Sequence, residues 1–160
     1  LRLSRPTTFG KWASYVLLAA ITIDNTLSAL VLDIRILAGE VSNKAAVLLG
    51  SGGAIFVTNV IVFGIWYWEL DRGGPFARRE GARPYPDFMF PQMTERELAP
   101  PNWRPEFADY LYVSITNVVA FSPTDTMPMA RWAKAMMSVQ AMVSLTTLAL
   151  VIARAVNVLG

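Results

Sequence analysis

The chain has no cysteine and no histidine, and only 16% of its 160 residues are charged. Without cysteine there is no disulfide and no thiolate nucleophile. Without histidine there is no imidazole acid–base chemistry, and the common zinc, haem and copper ligand sets are lost as well. Carboxylates, hydroxyls, amides, lysine and arginine remain, and no nucleophile–base pair or metal set can be named among them. The expectation is a protein that is not an enzyme and carries no cofactor. A soluble domain has roughly 25% charged residues, so solvent-facing groups are scarce here. The net charge of +2 gives no indication of a nucleic-acid partner.

The sequence is instead rich in long apolar runs, with 54% hydrophobic residues and a mean hydropathy of +0.39. Such runs favour a lipid bilayer as the partner. Residues Leu1 to Gly10 do not read as a signal peptide, because Pro6 interrupts them and the apolar stretch that follows is too long. A first span is expected from Trp12 to Ile36, ending near Asp33 and Arg35. A polar turn from Gly39 to Lys44 makes the next span its antiparallel neighbour. That second span, Ala45 to Trp68, contains the small-residue patch Gly50-Ser51-Gly52-Gly53-Ala54, which suits close helix approach. It closes on Trp66-Tyr67-Trp68 before Glu69, Asp71 and Arg72, the order of an interfacial boundary.

From Asp71 to Pro105 the chain is polar and rich in proline and arginine, so no long helix is expected there. Phe88, Met89, Phe90, Trp103 and Phe107 are too apolar for a disordered linker, and an ordered cap over the membrane part is expected. Phe107 to Ala120 is apolar but short, Phe121 to Pro128 is a turn, and Ala130 to Val158 is a last full span. Three parts follow: a two-helix transmembrane hairpin (1–70), the cap (71–106), and a short segment followed by an inner span (107–160). An apolar stretch of about fourteen residues is short for a bilayer but suits a re-entrant half-helix, which survives where it is buried in protein or lines water. The fold class is therefore an all-α integral membrane protein, with either three transmembrane helices plus a re-entrant pore-type half-helix or four transmembrane helices.

Asp109-Tyr110-Leu111-Tyr112-Val113-Ser114-Ile115-Thr116 resembles the pore helix of two-helix potassium-channel domains. Asp125-Thr126-Met127-Pro128 and Arg131-Trp132-Ala133-Lys134 stand where such domains have the acidic residue, Thr-Pro and basic start of the inner helix. Most of the chain is also similar to an uncharacterised bacterial membrane-protein family, through the blocks Trp66 to Pro75, Phe90 to Thr94 and Ala120 to Pro128. These likenesses imply a multi-pass protein of the bacterial cytoplasmic membrane and a homotetramer around a pore. They also imply an outward-facing cap, although its six arginines favour the cytoplasmic side. The glycine filter signature is missing: the chain reads Asn117-Val118-Val119-Ala120-Phe121-Ser122-Pro123, with no glycine from Phe107 to Leu159. Glycines let successive carbonyls turn toward one axis, so a potassium-selective ladder is not expected.

Pore-loop candidates are Thr116, Asn117, Val118, Ser122, Thr124 and Asp125. For Asp125 and Thr126 a plain structural role competes, that of N-cap to the last span. Asp24 lies mid-span, where a carboxylate must be paired, protonated or facing a polar cavity. Counted by depth, Asp24, Asn25, Thr58, Asn59 and Gln140 form one intramembrane polar belt, serving either helix packing or a proton or ion site. The leading functional expectation is a channel-like membrane pore domain that conducts cations without potassium selectivity. The alternative is a non-conducting structural or accessory subunit among unlike membrane subunits.

Overall fold

A computed structural model describes residues 7–41, 44–120 and 125–159. In chain order the elements are α1 (Thr8–Leu37), α2 (Ala45–Leu70), α3 (Pro75–Glu80), β1 (Phe88–Met89), α4 (Pro91–Thr94), α5 (Phe107–Val119), β2 (Met127–Pro128) and α6 (Arg131–Leu159). Single 3₁₀ turns follow α2 at Asp71–Gly73 and α4 at Arg96–Leu98. Helices α1, α2 and α6 are long and apolar enough to cross a membrane. Among the described residues the fold is all-α apart from one two-residue ribbon, in which Phe88 pairs with Pro128 and Met89 with Met127.

α1 starts where the Thr7 hydroxyl accepts the Gly10 N–H at 3.1 Å, satisfying one of the free donors of the first turn. It runs antiparallel to α2. Near one end Tyr15 stacks on Trp66 at 5.9 Å, and the Trp66 indole donates to the Thr22 hydroxyl at 2.9 Å. Near the other end the Thr147 hydroxyl of α6 donates to Asp33 Oδ2 at 3.2 Å. α1 ends at Leu37, one residue beyond the expected Ile36, and Asp33 near that end is buried, with its carboxylate bonded to α6.

Close backbone approach is confined to single points. A Cβ at Gly52 would stand 2.9 Å from both Val151 methyls, and one at Gly64 would stand 3.2 Å from the Leu111 Cα. Of the small-residue patch, Gly52 faces α6 while Gly50 and Gly53 face outward. Small residues let helices pack in lipid, where dispersion and hydrogen bonds replace the hydrophobic drive.

After α2 the chain reverses at Arg72-Gly73-Gly74, three consecutive residues with positive φ. Glycine adopts φ of +83° and +100° without steric cost, while Arg72 at +51° is the unusual member. Arg72 is held by its N–H donating to Asp87 Oδ2 at 2.7 Å and its Nε to Asp71 Oδ2 at 3.3 Å. Pro75 then opens α3, where a missing N–H costs nothing.

One aromatic cluster joins this cap to the helices. Phe88, fully buried, lies 5.1 Å from the Tyr67 ring, 6.1 Å from Tyr110 and 5.7 Å from Trp132. Phe90 packs on Tyr110 and Trp103, and Met137 and Ala133 of α6 close the cluster. A residue from the cap thus sits at the centre of packing between α2, α5 and α6.

Candidate functional site

α5 has 13 residues and a length of about 20 Å, well short of a bilayer's hydrocarbon. Its first turn is closed by a capping box between Glu106 and Asp109. At its start the Tyr110 hydroxyl donates to Asp71 Oδ2 at 2.6 Å, beside the end of α2. Further along, the Ser114 hydroxyl donates to the Val60 carbonyl at 2.7 Å, in the middle of α2. Near its end Asn117 Nδ2 donates to the Met137 carbonyl and to Gln140 Oε1, both at 2.9 Å. Gln140 lies nine residues into α6, about 13 Å along its axis.

α6 nevertheless begins at the level where α5 begins. The Trp132 indole donates to Asp87 Oδ1 at 3.2 Å, and the N–H groups of Met129 and Ala130 donate to the Asp87 carbonyl. Asp87 in turn donates its N–H to Asp71 Oδ1 at 2.9 Å. α5 and α6 therefore start beside the same Asp71–Asp87 pair, and the end of α5 lies against Gln140 of α6.

Asp71 is the hub of that upper level. Its side chain is wholly buried and accepts from Tyr110, Asp87 and Arg72. The Arg78 guanidinium lies 5.0 Å over the Tyr110 ring and donates to the carbonyls of Trp68 and Asp71. Burial pushes the Arg78 pKa down from its ordinary value, with Tyr110 and Asp71 opposing that shift.

Two polar layers lie below. In the first, Gln140 Oε1 accepts from the Tyr67 hydroxyl at 2.7 Å as well as from Asn117, and its Nε2 donates to Ser114 Oγ at 2.6 Å. Tyr67, Ser114, Asn117 and Gln140 are all buried and mutually satisfied. The second layer is different. Asn59, Ser144 and Thr147 line a small cavity of about 10 Å³ between α2 and α6. Both side-chain amide atoms of Asn59, the Ser144 hydroxyl and Asp33 Oδ1 are buried without a hydrogen-bond partner. Gln140, Ser144 and Thr147 follow one another at helical spacing on one face of α6, so a polar line runs along the bundle interior.

The residues singled out from sequence are distributed across this arrangement. Asn117 and Val118 face inward, with Val118 fully buried, while Thr116 is half-buried and bonds back to the Tyr112 and Val113 carbonyls. Ser122 and Thr124 lie outside the described residues. Asp125 is exposed. It and Thr126 precede the ribbon strand Met127–Pro128, and α6 begins at Arg131. Of the belt residues, Asn25 and Asn59 are buried, Thr58 is half-buried, and Gln140 bonds to Tyr67, Ser114 and Asn117. Asp24 faces outward from α1, away from that network.

Sequence reasoning did not single out Tyr67, Asp71, Asp87, Tyr110 or Ser114 as a set. The available signal was a carboxylate immediately after an apolar span and a tyrosine at the start of the next apolar stretch. Among the described residues no group of three or more acidic residues could hold a metal ion. No family model, no curated protein and no solved structure matches the chain.

Proposed function

We propose that the chain is the protomer of a channel-like membrane pore, assembled as a homotetramer and conducting cations without potassium selectivity. In this reading α5 is a re-entrant half-helix and the segment after it approaches the permeation axis. The single observation that carries it is the common level at which α5 and α6 begin, with the end of α5 beside Gln140, about a third of the way along α6. Interrupted backbone at membrane depth is tolerated where it is buried in protein or lines water. The outward face of α6 is also mixed in character, with Ser138, Ala149, Ala153 and Asn157 among its exposed residues.

The test is cation flux into liposomes by the purified chain, together with its mass in native detergent complexes. A fourfold particle that admits cations supports the proposal. An intact tetramer without flux removes conduction.

One observation favours a second reading, a non-conducting accessory subunit. Asn117 is locked to the Met137 carbonyl and Gln140, and Val118 is buried, so two residues expected at the pore serve the protomer's own packing. Recovery as one copy among unlike membrane subunits supports that alternative.

A further inference from the structure

Beside the buried core the cap encloses a second feature, an open cavity of about 1190 Å³ between α3, the segment 92–107 and the ends of α2 and α5. Its charged lining is dominated by arginine: Arg72, Arg78, Arg79, Arg96 and Arg104, against Glu80 and Glu106. The surplus is three positive charges. Arg72 and Arg78 are engaged with the Asp71 hub, and Arg104 donates to the Arg79 carbonyl at 3.2 Å. Among the described residues the Arg79 and Arg96 guanidiniums make no hydrogen bond or ion pair, and both are exposed. The lining also includes the apolar side chains of Trp68, Met93, Trp103 and Phe107. Trp68 and Phe107 stand at the ends of helices α2 and α5, where the apolar part of the protein meets the cap.

Guanidinium forks match phosphate oxygens in two-point geometry, and basic pockets next to membrane helices suit phospholipid headgroups. We propose that this cavity binds a phosphate-bearing anion through Arg79, Arg96 and Arg104, with the Trp68, Trp103 and Phe107 side chains taking the apolar part of the same molecule. That amphiphilic lining favours an anionic phospholipid headgroup over a free phosphate. The shared chemistry is the phosphate group.

The experiment uses the full chain in phosphatidylcholine nanodiscs, with Trp68 and Trp103 as fluorescent reporters. Dibrominated phosphatidylglycerol is compared with dibrominated phosphatidylcholine as quencher, and inorganic pyrophosphate is titrated in a separate arm. The expected result is stronger quenching by phosphatidylglycerol, lost in a W68F/W103F control. In the R79Q/R96Q variant its apparent affinity weakens by about 30-fold, since each surface arginine contributes about fivefold. Both substituted side chains lie outside the bonded core, so helical circular dichroism is expected to be unchanged. Saturable pyrophosphate binding that depends on the same arginines, without a lipid preference, supports the phosphate site and reassigns its source to solution. Equal quenching by both lipids with no pyrophosphate effect overturns the proposal. So does a lipid preference that survives R79Q/R96Q.

Discussion

Replacing Tyr110 by phenylalanine deletes one oxygen and leaves the ring among Phe88, Phe90 and the Arg78 guanidinium. The lost contact is the 2.6 Å bond to a carboxylate with no solvent exposure. Hydrogen bonds to charged groups contribute about 1.5–3 kcal/mol. Polar contacts measured inside membrane bundles average about 0.6 kcal/mol and reach about 1.7. Tyr110 sits at the edge of the bundle, so about 2 kcal/mol is expected. Asp71→Asn removes the charge that faces Arg72 and Arg78, for which breaking a buried pair gives about 3–5 kcal/mol. Because Tyr110→Phe deletes the same bond that Asp71→Asn strips of its charge, the double variant should fall short of the sum by about 1 kcal/mol. The assay is reversible unfolding in mixed detergent micelles followed by tryptophan fluorescence. A Tyr110→Phe protein within about 0.5 kcal/mol of the parent, or an additive cycle, would refute the hub as described.

Other expectations follow from the packing. Phe88→Ala opens the centre of the aromatic cluster and should destabilise by about 3–5 kcal/mol in the same unfolding assay. Gly64→Val forces a side chain against the Leu111 backbone and should shift α5 from α2, detected as loss of a Val60–Ser114 cysteine crosslink introduced as a pair. Gln140→Leu leaves the Tyr67 hydroxyl without its partner and takes one bond each from Asn117 and Ser114, and should cost about 2–4 kcal/mol. Asn59→Leu should be neutral or stabilising by about 1 kcal/mol, because neither amide atom has a partner to lose. A large destabilisation there would show that Asn59 is satisfied in the membrane.

The spans were legible because length and apolarity are local properties: expected and observed ends differ by a few residues at most, Trp12 against Thr8 being the largest. The fold of the cap was not, since Phe88, Tyr67 and Tyr110 meet only through contacts far apart in sequence. The polar belt illustrates the limit most clearly. Depth follows from the 1.5 Å rise and was countable, but azimuth advances by 100° per residue. In a soluble helix the apolar stripe reveals which azimuth faces inward. In lipid both faces are apolar, so Asn25 inward and Asp24 outward were indistinguishable from the sequence. The ribbon was hidden for a similar reason, since nothing local indicates that Met127 and Pro128 pair with Phe88 and Met89.

That two-residue ribbon makes the cap a lever. The stretch that leads into α6 is fastened to Phe88, whose ring is anchored among Tyr67, Tyr110 and Trp132. Displacement of the cap strand would pull on Pro128 directly and so on the start of α6, three residues further on. A change in the cap thereby has a short mechanical route into the helices.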